Sequence, residues 1–379
     1  MNILFFIGSF FPAQDGGPNN SIYWIAKHLK NNKNIKNVDV LTFYKGLSPK
    51  NIKKYNINPN KFSTIDGINI IYFKYYFFRI LSPHLLYYIF FKLKKYNFAH
   101  LNSVFFFPNL LFSLSLIINK IPYCISLRGE LENGAIIYKK KIKIFYIKLF
   151  AGFFLEKSKF IHITSQKEKS QAKHFLKSKK KFILLPNIID IPIINKVELN
   201  KKNLLYLGRI HPKKNLETVI SSFSQVSKSI HYKIKFIIVG TGDLKYINKL
   251  KDHAKKLKIE DRIIFTGFKD QFKKLYYFKN AKYLILASHS ENFGNVILEA
   301  ISNSTPVIVS DNLPWKIIKE YNLGFYFKIK ELNQILVKAF NIDHKKYIRM
   351  FRLRNKFLNK FSAERNIYQY YEIYSKYSK

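Results

Sequence analysis

The chain has 379 residues, of which 47% are apolar; that excludes a disordered protein and is enough for two domains that each bury a core. Its single cysteine, Cys124, excludes a disulfide framework and any cysteine-built metal cluster, and fits a reducing compartment. With 66 Lys and Arg against 23 Asp and Glu the net charge is +43, a sign that favours a negatively charged surface or substrate, either anionic lipid headgroups or nucleic acid. The abundance of Lys, Asn, Ile, Phe and Tyr, as AT-rich coding produces, contributes to its size.

The first eight residues lack a basic leader and a small-residue cleavage site, so they are expected to form a strand rather than a secretory signal. That strand, over 3–7, leads into a loop with two adjacent glycines, Gly16 and Gly17, and then a helix capped near Asn20 or Ser21. Further strands are expected at 38–43, 68–73, 98–101, 123–127 and 160–164, with helices at 83–94, 141–158 and 167–175. The stretch 98–119 carries no charged residue and matches a bilayer in length. His100, Asn102, Pro108 and Asn109 interrupt it, so a strand, a loop and a buried helix over 109–118 are expected, in a peripheral rather than an integral protein.

The pattern breaks around Leu185-Pro186-Asn187-Ile188-Ile189-Asp190-Ile191-Pro192, the best linker candidate. Boundaries of 1–190 and 191–360 follow for two α/β domains, with a helix over 361–379 returning to the first. The second series places strands at 203–207, 234–239, 262–265, 283–287 and 306–310. Its helices fall at 215–227, 246–257, 272–277 and 294–302. Strand–helix alternation of this kind builds parallel sheets, which bind ligands beyond the carboxyl ends of their strands.

Two elements carry chemistry. Gly208-Arg209-Ile210-His211-Pro212-Lys213-Lys214-Asn215 leaves a strand, and Asn215 is placed to cap the next helix. Arg209 offers a planar fork and Lys214 a compact charge to phosphate oxygens. In Ser290-Glu291-Asn292-Phe293-Gly294-Asn295-Val296-Ile297-Leu298-Glu299-Ala300 two carboxylates stand eight positions apart around a glycine turn that opens a helix, a ready anion site. Taken alone, the first element is also compatible with two solvated cations, and the second with an exposed loop Glu and a helix Glu paired with a lysine. Gly240-Thr241-Gly242 permits a tight turn, without the third glycine of a dinucleotide fingerprint.

In order and spacing, Gly-Arg-x-x-x-x-Lys, Val-Gly-x-Gly, Phe-x-Gly at Phe265–Gly267 and Glu-x7-Glu together resemble the retaining glycosyltransferases of family four. The Gly16-Gly17 loop and Pro186-Asn187 extend the resemblance over nearly the whole chain. It implies an α/β fold of two Rossmann-like domains facing across a cleft, the GT-B fold, with the donor in the second domain and the acceptor in the first. By that likeness Arg209 and Lys214 neutralise the donor diphosphate, aided by amides at Gly294, Asn295 and Val296 beside Phe293. Glu299 holds the ribose and Glu291, with Arg209 and Lys214 the catalytic set, the donor sugar's hydroxyls. Backbone near Phe268 meets the base, and Gly17 approaches the phosphate. The resemblance further implies a UDP- or GDP-linked sugar as donor, a saccharide or lipid-linked saccharide as acceptor, and no metal or other cofactor; no Asp-x-Asp is present.

One departure is Ser126-Leu127-Arg128-Gly129-Glu130-Leu131, where many family members carry a histidine. This form looks like a subgroup of bacterial surface polysaccharide assembly, covering lipopolysaccharide, O-antigen and capsule. Arg128 is then expected to bind the donor phosphate or an anionic acceptor, and Glu130 an acceptor hydroxyl; the alternative is a buried Arg128–Glu130 pair. His100 is expected to be structural. Cationic helices at 139–148 and 167–181 suit the inner face of the cytoplasmic membrane, which makes an anionic membrane surface an expected partner. Nucleic acid is not expected, because the aromatics sit in apolar runs and no recognition-helix pattern appears. The competing class is a basic membrane- or nucleic-acid-binding protein with an inactive fold of this type. A one-domain sugar-nucleotide-modifying enzyme lacks its glycine motif near residue 8.

Overall fold

The computed structural model describes residues 1–13, 17–75, 82–137, 139–176, 180–190, 201–230, 234–269 and 271–378, with Gln271 and Phe272 described by backbone alone. Gly16 and most of the linker, 191–200, lie outside the described residues. The chain divides into two compact units, Met1–Asp190 with Phe361–Lys379, and Ile191–Lys360.

The first unit is built on strands β1 (Asn2–Phe6), β2 (Asn37–Phe43), β3 (Phe62–Ile65), β4 (Ile68–Phe73), β5 (Phe98–Asn102), β6 (Tyr123–Ser126), β7 (Phe160–Ile163) and β8 (Phe182–Leu184). They form one sheet in the order β3-β4-β2-β1-β5-β6-β7-β8, parallel except for the β3–β4 hairpin. Because side chains alternate along a strand, each strand feeds two cores. Leu4, Phe6, Leu41, Phe43 and Leu101 point to one face, under the helices Pro83–Phe91 and Pro108–Ile118 and the segment 140–157. Ile3, Phe5, Val38, Val40 and Phe98 point to the other, under the helix Gly17–Lys30 and the C-terminal helix Ala363–Tyr377. Continuous apolar runs are therefore what this sheet requires.

The helix ends follow local chemistry. Ser82 accepts from the Leu85 amide at 3.4 Å with Pro83 in the first turn, and Ser165 accepts from the Glu168 amide at 3.1 Å. The first helix begins at Gly17, earlier than a cap at Asn20 or Ser21 requires. Asn19 turns inward, where its Nδ2 donates to Ser9 Oγ at 3.1 Å, and Ser21 Oγ donates back to the Gly17 carbonyl at 3.0 Å. The uncharged stretch 98–119 separates into β5 and the helix Pro108–Ile118, and no described helix is long and apolar enough to cross a membrane. The helix expected over 141–158 is interrupted by a π turn at Ile147–Ala151.

The second unit holds β9 (Asn203–Leu207), β10 (Phe236–Val239), β11 (Ile263–Gly267), β12 (Ala281–Leu286), β13 (Val307–Ser310) and β14 (Gly324–Phe327). All pairings are parallel, in the order β11-β10-β9-β12-β13-β14. Every carboxyl end thus lies along one edge, and the order reverses between β9 and β12. Open α/β sheets bind ligands at such a switch point.

Candidate active site

The loops on the two sides of the second unit's switch point carry the charged elements. β9 runs into Gly208–Asn215 and β12 into Ser288–Glu291. The His289 amide donates to the Lys213 carbonyl at 2.9 Å and so ties the two loops together. Across this clip the Lys214 ammonium is bonded to a carboxylate oxygen of Glu291, their side chains only 17% and 14% exposed. Ser288 Oγ donates to the same oxygen at 2.9 Å. Burial opposes the charge on Glu291. The charge and hydrogen bond of Lys214, with Lys213 and Ser288, outweigh it and hold the carboxyl below its usual range.

Positive charge exceeds this single carboxylate. Partial burial, then the charges of Arg209, Lys213 and Lys214, hold the His211 imidazole below its ordinary pKa. Arg209 is exposed, and its carbonyl accepts from the Tyr206 hydroxyl at 2.7 Å, which fixes the loop's departure from β9. Asn215 stands at the helix start in a left-handed conformation, φ 57°; its side chain accepts from the Thr218 hydroxyl at 2.7 Å instead of capping backbone amides.

The glycines after β10 have a structural reason. A Cβ on Gly240 would lie 1.8 Å from the Gly208 carbonyl oxygen, and one on Gly242 would lie 2.0 Å from that of Ile210. The Ile210 amide donates to the Thr241 carbonyl at 2.8 Å. These glycines let two loops touch, so that the Arg209 loop is held by its neighbour.

Gly294, at φ 81°, turns the chain into the helix Asn295–Ser302. Asn295 and Val296 form its first turn, whose direction favours an anion. Phe293 is buried: its ring lies 5.0 Å from that of Trp315, and its carbonyl accepts from the Trp315 indole N–H. Any part it has in the site therefore runs through its backbone. Glu299 faces Lys274, Nζ to Oε2 3.9 Å. Phe268 is 47% exposed just past β11. Sequence reasoning passed over Ser288, Lys213, His211 and Lys274. The first lies three residues before Glu291 at a strand end, a detectable position; nothing in the sequence joins Lys274 to Glu299.

In the first unit, Gly17 is exposed at a helix start. Arg128 occupies a left-handed position, φ 54°, after β6, and is buried. Its Nε donates to Asn102 Oδ1 at 2.9 Å and its Nη1 to Asn187 Oδ1 at 3.1 Å, while Nη2 has no hydrogen-bond partner among the described residues. Burial lowers the Arg128 pKa, against the opposing influence of Tyr370 and Glu168. An Arg128–Glu130 hydrogen-bonded pair does not form. Glu130 instead accepts from Ser103 Oγ at 2.6 Å and from the amides of Val104 and Phe105 at 2.6 and 3.1 Å. Its carboxylate holds the turn after β5; burial pushes its pKa up against those bonds.

His100 belongs to a buried chain of neutral groups. His162 Nε2 faces the Leu185 carbonyl at 2.9 Å and must donate to it, so its Nδ1 accepts from the Ser126 hydroxyl. Ser126 Oγ then accepts from His100 Nε2, and His100 Nδ1 accepts from the Tyr374 hydroxyl of the C-terminal helix. Every donor finds an acceptor only while both rings are uncharged. Burial holds His100 well below its ordinary range and His162 down to about 3.

Residues 188–342 match the family model described as glycosyl transferases group 1. The chain is 38% identical over 116 residues to alpha-monoglucosyldiacylglycerol synthase of Streptococcus pneumoniae, covering 31% of this chain and 26% of that protein. It is 28% identical over 144 residues to the N-acetylgalactosamine-N,N'-diacetylbacillosaminyl-diphospho-undecaprenol 4-alpha-N-acetylgalactosaminyltransferase of Campylobacter jejuni, covering 37% of each. It thus spans between about a quarter and two fifths of these relatives' lengths. In fold it is similar to Anabaena HepE, solved in complex with UDP and glucose, with a TM-score of 0.78 at 17% identity over 99% of this chain and 100% of that one. The match to the glycosyl transferases group 1 model thus falls on the second unit, in a chain of the two-domain GT-B fold.

Proposed function

We propose that the protein is a retaining glycosyltransferase that moves a hexose from a UDP- or GDP-linked donor to a saccharide acceptor. The observation that carries this reading is the cluster at the second switch point: Glu291 bonded to Lys214, with Arg209, Lys213 and His211 around it. One carboxylate among several cations leaves positive charge for a diphosphate and a carboxylate oxygen for sugar hydroxyls. The donor C1–O bond breaks through an oxocarbenium-like transition state, and the negative charge passes to the leaving nucleoside diphosphate. Its stabilisation is assigned to Arg209, Lys214 and the helix turn at Gly294–Val296. Glu299 is assigned to the ribose and backbone near Phe268 to the base. These cations take the part a metal would otherwise play, so transfer is expected to persist in EDTA.

In the first unit Arg128, with Nη2 uncommitted, is assigned an anionic group of the donor or acceptor. Glu130 is assigned a positioning role, since its bonds shape the turn after β5. The acceptor we favour is lipid-linked, of the kind used to assemble lipopolysaccharide, O-antigen or capsule, with the enzyme peripheral at the inner face of the cytoplasmic membrane. Two relatives' names support a lipid acceptor, one containing diacylglycerol and the other diphospho-undecaprenol.

The test is calorimetry and thermal shift against UDP, GDP, ADP and their sugars, with Lys214→Ala as control, followed by NMR of the product's anomeric configuration. Selective binding of one nucleoside diphosphate, lost in the variant, is expected, and so is retention. Binding of none, or an inverted product, overturns the assignment.

A further inference from the structure

The helices on one face of the first sheet are apolar on both sides. The helix Pro108–Ile118 packs between Pro83–Phe91 and Gly152–Lys157, and the inward side chains Ile89, Leu116, Ile147 and Phe154 are buried in the sheet's core. Facing away from that core, Ile142, Phe145, Leu149 and Phe153 are 66%, 61%, 55% and 43% exposed. Their spacing of three, four and four residues draws one stripe down the segment 140–157. Ile118 and Phe91, 73% and 70% exposed, end the two neighbouring helices. A single exposed leucine is ordinary, whereas a run of large side chains across adjacent helices marks a surface that something covers.

The charges beside the stripe select what covers it. Lys140, Lys141 and Lys148 are exposed on the same segment, and the sole acidic residue over 137–159 is Glu156. A second copy of the chain would set these lysines against their own kind, on proteins each carrying +43. An apolar centre with a cationic rim instead matches the boundary between acyl chains and anionic headgroups. Resting on the peripheral placement proposed above, we propose that this outer face, centred on Phe145 and Leu149, is an insertion surface for an anionic lipid leaflet. The four apolar side chains enter the acyl boundary, and Lys140, Lys141 and Lys148 meet headgroup phosphates. The segment lies in the plane of the interface and does not cross it.

The experiment is sedimentation of the full chain with vesicles of phosphatidylcholine alone or with about a third phosphatidylglycerol, in low salt and in about 500 mM salt. Wild-type protein is expected to bind the anionic vesicles at least about tenfold better, with binding reduced but retained in high salt. Phe145→Ser with Leu149→Ser is expected to lower binding about tenfold or more at both salts, with thermal stability and UDP binding unchanged. Lys140→Ala, Lys141→Ala and Lys148→Ala together are expected to lower it mainly in low salt. Phe145→Trp is expected to shift its emission to the blue on anionic vesicles. Equal binding by wild type and the double serine variant, no blue shift, or a dimer that the serine variant dissolves would overturn the proposal. UDP binding on the same samples separates failure of this surface from failure of the donor site.

Discussion

Two polar clusters, one in each unit, are built in opposite ways. In the first, the chain from Tyr374 through His100, Ser126 and His162 to the Leu185 carbonyl is neutral, and each donor has one acceptor. In the second, Lys214 and Glu291 are charged, partly exposed and surrounded by further cations. Groups that satisfy one another have nothing left for a ligand, and they hold the C-terminal helix to the first sheet. Groups out of balance keep capacity for one.

Lys214→Ala should break the comparison most sharply. It removes a donor-facing cation and strands Glu291, and transfer should fall by about a hundredfold or more, with the fold intact. Glu291→Gln should also lower turnover strongly. Steady-state kinetics check both, and wild-type turnover would remove the assignments.

Ser126→Ala should act in the reverse sense. It leaves two buried histidines each short of a partner, at a cost of about 2–4 kcal/mol in urea denaturation, without change in UDP affinity. A lost UDP affinity would mean that the chain is no purely structural device.

Acid tests the same contrast. The folded-state pKa of His162, about 3, lies below the unfolded value of about 6.5, so the unfolded state binds the proton first. Stability is complete above about 6.5 and declines as pH falls toward 3, by about 2 kcal/mol between pH 7 and pH 5. His100 shifts in the same direction and adds to the loss. Glu291, held below its usual range, contributes stability above the ordinary carboxylate pKa and loses it only as pH falls through its own lower value. Denaturation profiles against pH should therefore flatten in His162→Gln between 5 and 7 and be unaffected there by Glu291→Gln. Tyr374→Phe, which removes one bond to His100, should cost the least, about 1 kcal/mol, measured the same way.

Much of the scaffold was legible because strand and helix periods are local. The strands at 68–73 and 203–207 coincide with β4 and β9 to the residue. The short β3, β8 and β14 escaped notice: β3 and β8 are edge strands with exposed positions, and β14 is a half-buried edge strand opened by Gly324. Pairs of loops were less legible. Glycines 240 and 242 read as a turn, and only the neighbouring backbone at Gly208 and Ile210 explains why nothing larger fits. Arg128 and Glu130 sit two residues apart, yet one reaches Asn102 and Asn187 while the other holds Ser103–Phe105.

Residue type and spacing by themselves determined that the chain alternates strand and helix, that Arg209, Lys214 and Glu291 stand where loops leave strands, and that Glu299 falls within the helix opened by Gly294. Those properties depend on backbone geometry over a few residues. Only the tertiary structure decided that Lys214 pairs with Glu291, that Lys213 clips their loops together, and that His100 is sealed against Tyr374 from the far end of the chain. Such contacts are set by strand order, which brings together residues 77 and 274 positions apart, a range over which local periodicity carries no information.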